Sequence, residues 1–192
     1  DNHESVTDEV VIQLKSEIIQ ALADQFSGVL IDETWGLEAC KDVCSVKPFL
    51  LPLEKTGYIE AEGEKITELE FSVEQIQQMG ASGAKLLIYF NVGGPSADKQ
   101  LATAKLVMDD CKASNFPFFL EIVTYGDGKG KVYEALKAFI DEGIVPDVWK
   151  PEYSGSEEKC KQITELVGNT PWILLTGGQS FDEFKAQLEI AT

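Results

Sequence analysis

PFFLEIVTYG, residues 117–126, is the stretch that decides the fold. Five of its first seven residues suit the interior of a sheet, yet Glu121 stands in the middle. A carboxylate inside a buried strand is costly unless it is paired or at work. The run is apolar on both faces rather than alternating, which marks a strand of a parallel sheet covered by helices. A second charge, Lys150 in VPDVWKPEYSG, sits at the end of another apolar run.

Working outward, apolar runs alternate with helical repeats. Toward the N-terminus lie KLLIYFNV (85–92), FLLPL (49–53) and GVLID (28–32); toward the C-terminus lie DVWK (147–150) and WILLT (172–176). Between them, apolar residues at 3.6-residue spacing predict helices over 8–26, 66–80, 97–114, 129–142, 156–167 and from 181 on. Repeating strand–helix units fit an open doubly wound sheet or a barrel. No GxGxxG or P-loop pattern follows the first strand, which argues against nucleotide binding. Asp32, Glu54, Asn91, Thr124, Lys150 and Thr176 at or beyond strand ends favour the barrel, whose chemistry lies at the C-terminal ends of its strands. Six candidate strands are nonetheless fewer than the eight a closed barrel needs.

The chain has 192 residues, 44% hydrophobic and 26% charged, enough for one domain with a sizeable core. Its formal net charge of −17 repels nucleic acid and anionic membranes, and no apolar run reaches the length of a membrane span. All 16 cations are lysines. An anion site here must therefore use lysine, backbone N–H groups or helix N-termini. The acidic N-terminus DNHESVTDEV is unlike a signal sequence, so the chain reads as cytoplasmic, with Cys40, Cys44, Cys111 and Cys160 as reduced, buried thiols. Cys40 and Cys44 would share a helix face, but the only histidine is His3, so neither a metal nor another cofactor is expected.

The segments GVLIDETWG (28–36), LPLEKTGY (51–58), GAKLLIYFNV (83–92), PFFLEIVTYG (117–126), PDVWKPEY (146–153) and LTGGQS (175–180) resemble, in order and spacing, the class I tagatose-1,6-bisphosphate aldolase family; they are also similar to the sulfofructose-phosphate aldolases. The resemblance implies an α/β fold of the TIM (β/α)8-barrel type and a carbon–carbon lyase that works through a lysine Schiff base without a metal. The family's opening Asp-Gln-Arg-Gly turn and closing Cys-Gly-Arg turn have no counterpart here. By resemblance, residues 1–192 form a single partial barrel domain lacking the first and last strands, a truncated or divergent form or one completed by a homo-oligomer or another chain.

The same resemblance makes Lys150 the imine-forming lysine and Glu121 its proton-transfer partner, with Lys85 pointing into the same site. Imine formation needs a neutral amine, whereas a free lysine has a pKa of about 10.4. Burial and a second cation lower it, and Lys85 is expected to supply that cation or to hold a phosphate. The residues alone leave a structural Lys85–Glu121 ion pair, and a surface position for Lys150, as open alternatives. Asp32 is expected to orient substrate hydroxyls or to cap the next turn. Glu152 is expected on the face of Lys150, with Pro151 making the strand end irregular. Gly177 and Gly178 are expected to form an anion nest or a plain strand–helix turn. The expected substrate is a phosphorylated ketose, cleaved to dihydroxyacetone phosphate and an aldehyde; a non-catalytic barrel domain is the other reading.

Overall fold

Glu121 and the residues around it form the centre of a parallel sheet in the computed structural model, which describes residues 6–191. In chain order the elements are α1 (Asp8–Leu22), β1 (Val29–Leu30), α2 (Gly36–Cys44), β2 (Phe49–Pro52), β3 (Ile59–Ala61), β4 (Glu64–Ile66), α3 (Val73–Gln78) and β5 (Gly83–Phe90). There follow α4 (Ala97–Ala113), β6 (Phe118–Thr124), α5 (Val132–Asp141), β7 (Val148–Pro151), α6 (Glu157–Val167) and α7 (Phe181–Ala191). The sheet runs β1-β2-β5-β6-β7, every neighbouring pair parallel. It makes a half-barrel of five strands.

Burial differs between the two faces of this sheet. Leu86, Ile88 and Phe90 of β5 and Leu120 and Ile122 of β6 are almost wholly buried, in one core with Val107 and Met108 of α4 and Leu136 and Phe139 of α5. Trp149 of β7 is fully buried against the Phe139 ring. On the other face Leu87, Tyr89, Phe119, Val123 and Lys150 are only half-buried. That face is the concave interior, and it carries the charges.

Three expectations are corrected. The predicted helix over 66–80 begins only at Val73, because Ser72 and Gln75 form a capping box and Leu69 pairs instead with Glu54 in an antiparallel bridge. A two-stranded hairpin, β3–β4, precedes it, with no apolar alternation to announce it. Residues 172–176 do not form a strand: Trp172 makes one parallel bridge to Trp149, and Ile173 N–H and Leu175 N–H donate to Trp149 and Pro151 carbonyls at 2.9 Å. Nothing pairs along the outer side of this segment among the described residues, and Ile173 is exposed. Pro151, expected to disturb the strand end, stays in register opposite Ile122.

The thiols are corrected as well. Cys40 and Cys44 form a disulfide, their Cα atoms 5.3 Å apart on one face of α2, within reach of a bridge. Cys111 and Cys160 are free and buried. His3 lies outside the described residues. No helix among those residues is long and apolar enough to cross a membrane.

Candidate active site

Parallel register places the charges side by side. Pro52 pairs with Lys85, Leu87 with Glu121, and Glu121 with Lys150. Residues two apart share a face, so Lys85, Glu121 and Lys150 all project into the concave interior. Lys150 Nζ donates to Glu121 Oε2 at 3.0 Å, and Lys85 Nζ lies 3.6 Å from that same oxygen. Lys85 also donates to Glu54 Oε1, while Leu87 N–H donates to Glu54 Oε2 at 3.1 Å. The result is a row, Glu54–Lys85–Glu121–Lys150, of alternating charge and zero net charge.

Burial grades along the row. The side chains of Glu54, Lys85 and Glu121 are 7, 9 and 6% exposed, whereas that of Lys150 is 20% exposed. The outermost amine thus reaches solvent while the carboxylate that contacts it does not. Burial pushes the Glu54 carboxyl above its ordinary range, opposed by Lys85. A cleft of about 290 Å³ opens beside Lys85, lined also by Glu54, Leu87 and Tyr89.

Sequence reasoning left Glu54 outside the site. It follows Leu51 and Leu53, both buried on the helix side, so Pro52 and Glu54 take the interior side. That alternation within LPLEKTGY was the available signal.

The remaining candidates make other contacts. Asp32 is half-buried at the end of β1. Its Oδ1 accepts from Trp35 N–H at 2.8 Å and Gly36 N–H at 3.1 Å, and its Oδ2 from Lys15 Nζ at 2.6 Å. Partial burial raises its carboxyl pKa, but these hydrogen bonds and the Lys15 charge prevail and hold it below the ordinary value. Glu152 Oε2 accepts from both the backbone N–H and the hydroxyl of Thr124, at 2.7 and 2.6 Å, so it ties β7 to the end of β6. Gly177 and Gly178 occupy an exposed turn with φ of 63° and 74°, conformations that favour glycine.

The loops after β5 and β6 are locked together beyond the row. Asn91 Oδ1 accepts from Gly128 N–H at 3.0 Å, and a Cβ at Gly128 would come within 2.6 Å of Val92 N. Only glycine fits that crossing. Asn91 Nδ2 donates to Glu64 Oε1, and Ser96 and Tyr125 hydroxyls donate to Glu64 Oε2. Those hydrogen bonds, Ser96's foremost, hold the Glu64 carboxyl below its ordinary range. Among the described residues no three His, Cys, Asp or Glu side chains converge as a metal site requires.

The arrangement is one accessible amine against a buried carboxylate, with a second ammonium behind it. Such a set can perform carbonyl condensation with proton transfer.

The family model for DeoC/LacD family aldolases matches residues 2–192. Tagatose 1,6-diphosphate aldolase 1 of Streptococcus mutans is 30% identical over 192 residues, covering 91% of this chain and 58% of that protein. Tagatose 1,6-diphosphate aldolase 2 of Streptococcus pyogenes is 31% identical over 220 residues, covering 96% and 67%. The chain therefore spans between about three fifths and two thirds of the length of these relatives. Among solved structures, a Schiff-base-forming fructose-1,6-bisphosphate aldolase superposes with a TM-score of 0.74 at 20% identity, covering 92% of this chain and 71% of that one. An archaeal fructose-1,6-bisphosphate aldolase whose catalytic lysine is bound to a carbinolamine gives 0.73 at 19%, covering 92% and 70%. Both show the barrel type of the fold.

Proposed function

Because this chain belongs to the DeoC/LacD aldolase family, we propose that it works as a class I aldolase, with Lys150 forming a Schiff base to a phosphorylated ketose. The single observation that carries the reading is Lys150 Nζ, partly open to solvent, 3.0 Å from the buried Glu121 Oε2.

The chemistry follows from these two groups. Lys150, as the free amine, adds to the C2 carbonyl of the ketose to give a carbinolamine. Glu121 relays the protons that let the carbinolamine hydroxyl leave as water, forming the C=N bond. The iminium then accepts the electron pair of the C3–C4 bond as that bond breaks. The C4 hydroxyl proton passes to Glu121, and an aldehyde departs. Glu121 returns the proton to C3 of the enamine, and water hydrolyses the imine to release dihydroxyacetone phosphate and regenerate Lys150. Lys85 holds Glu121 from behind, fixing the carboxylate toward Lys150.

Relatives named as tagatose 1,6-diphosphate aldolases support a ketose bisphosphate as substrate. The concave face bearing the row is half-exposed. Its closure, by further barrel strands or by a second chain, belongs to the proposal, because excluding water favours the imine.

The test is borohydride reduction of the folded chain in the presence of dihydroxyacetone phosphate, followed by peptide mass spectrometry. The expected adduct is on Lys150 and is absent from Lys150→Arg. A folded chain that shows no adduct, or one spread evenly over surface lysines, overturns the assignment.

A further inference from the structure

Anionic substrates pose a difficulty for a chain of net charge −17 without arginine. One lysine near the site is placed unlike the others. Lys65 Nζ lies over the ring of Tyr58 at 4.3 Å from its centroid, and at 5.5 Å from the centroids of Tyr89 and Tyr125. Among the described residues its ammonium has no carboxylate partner and no hydrogen-bond acceptor.

The cage is built and held. Tyr58 and Tyr89 rings meet edge to face, 4.9 Å apart. Tyr125 hydroxyl accepts from Lys65 N–H at 2.9 Å and donates to Glu64 Oε2 at 2.9 Å. Gln100, fully buried on α4, donates from Nε2 to the Lys65 carbonyl at 3.2 Å and to the Tyr89 carbonyl at 2.9 Å. Hairpin and strand are thereby clamped with the ammonium between the rings. The neighbouring carboxylate, Glu64, is already occupied by Asn91, Ser96 and Tyr125.

Position relates the cage to the ion row. Tyr89 shares the interior face of β5 with Lys85 and Leu87, and lines the same cleft. Tyr89 pairs with Val123, two residues beyond the Leu87–Glu121 pair. Tyr89 thus stands one step, about 6.6 Å, farther toward the C-terminal ends of the strands. For the cage to serve a ketose held through C2 at Lys150, the C6 end must run from the row toward the strand ends.

We propose that Lys65, held by Tyr58, Tyr89 and Tyr125, is the cation that receives the terminal phosphate of the substrate. This deepens the aldolase reading and rests on it for the identity of the ligand, but the anion site stands on its own geometry. Aromatic faces hold an ammonium without consuming its N–H donors, so all three remain for phosphate oxygens.

The test uses Lys65→Met, which keeps the aliphatic stem on the rings, and Lys65→Arg, which keeps the charge. Their folding is checked by circular dichroism. Inorganic phosphate binding is measured by calorimetry, with acylation of Lys65 followed by peptide mass spectrometry with and without phosphate. The expected result is protection of Lys65 by phosphate, with affinity reduced about 10- to 100-fold in Lys65→Met and largely kept in Lys65→Arg. With substrates, KM for a ketose 1,6-bisphosphate rises by a similar factor in Lys65→Met, while the ketose 1-phosphate and borohydride trapping at Lys150 are unaffected. Unchanged phosphate binding in Lys65→Met, no binding by the parent chain, or an equal loss on both substrates overturns the proposal. Phosphate binding that depends on Lys65, without any adduct at Lys150, supports the anion site and sinks the aldolase reading instead.

Discussion

Replacing Lys85 with methionine tests the ion row most severely. Lys85 stands between Glu54 and Glu121, and all three side chains are under one tenth exposed. Methionine fills the volume of the stem but leaves two carboxylates facing one buried spot. Glu121 keeps Lys150, whereas Glu54 keeps only backbone N–H groups, its own and that of Leu87. Breaking a buried pair costs about 3–5 kcal/mol. With Glu121 still paired, the lower end, about 3 kcal/mol at pH 7, is expected. At an m-value of about 2 kcal/mol per molar urea, the unfolding midpoint falls by about 1.5 M.

The pH dependence of Lys85→Met has a definite sign. Burial already raises the Glu54 carboxyl, with Lys85 opposing. Without that opposition the folded-state pKa climbs further above the unfolded value of about 4.3. The folded state then binds the extra proton, so stability falls as pH rises through the interval between those values and recovers below it. Urea titrations by circular dichroism at pH 7 and near pH 4.5 should show the deficit shrinking toward acid. A loss below about 1 kcal/mol, or one constant across this range, would refute the reasoning that Lys85 compensates Glu54.

Three other outcomes are expected. Glu121→Gln should lower kcat for retro-aldol cleavage by about 10²- to 10⁴-fold in a coupled assay, since the amide can accept no proton; an unaltered kcat removes Glu121 from proton transfer. Asp32→Ala should cost about 1–2 kcal/mol by thermal unfolding, through loss of the α2 N-terminal hydrogen bonds and the Lys15 pair. Because the folded-state pKa of Asp32 is lowered, its contribution is present above the unfolded value of about 3.9 and disappears as pH falls through the folded one. Cys111, whose thiol burial pushes up to about 12, should resist iodoacetamide at pH 8 until urea unfolds the chain.

The strands nearest the site were legible because their residues satisfy two local conditions together. PFFLEIVTYG and KLLIYFNV are long apolar runs bounded by turn residues, and the helices at 97–114, 129–142 and 156–167 show clear apolar repeats. The structure places each of them within a few residues of the expected bounds. The helix over 66–80 misled because Leu69, Val73 and Ile76 fit a helical period although Leu69 belongs to a bridge. The Ser72–Gln75 capping box marked the true start. WILLT misled in the opposite direction: its residues suit a strand, but strand character also needs pairing, and only one side is paired.

Local sequence determined which residues face which side of the sheet, since the two-residue period is a property of extended backbone. It therefore put Lys85, Glu121 and Lys150 on strands and made two of them interior charges. Which charges meet was decided by register between strands far apart in the chain. Glu54 reaches Lys85 across a separation of 31 residues, and Lys150 reaches Glu121 across 29. The Lys65 cage draws its rings from positions 58, 89 and 125. No periodicity links those positions, because the rings and the ammonium come together only when the hairpin docks over the ends of the sheet.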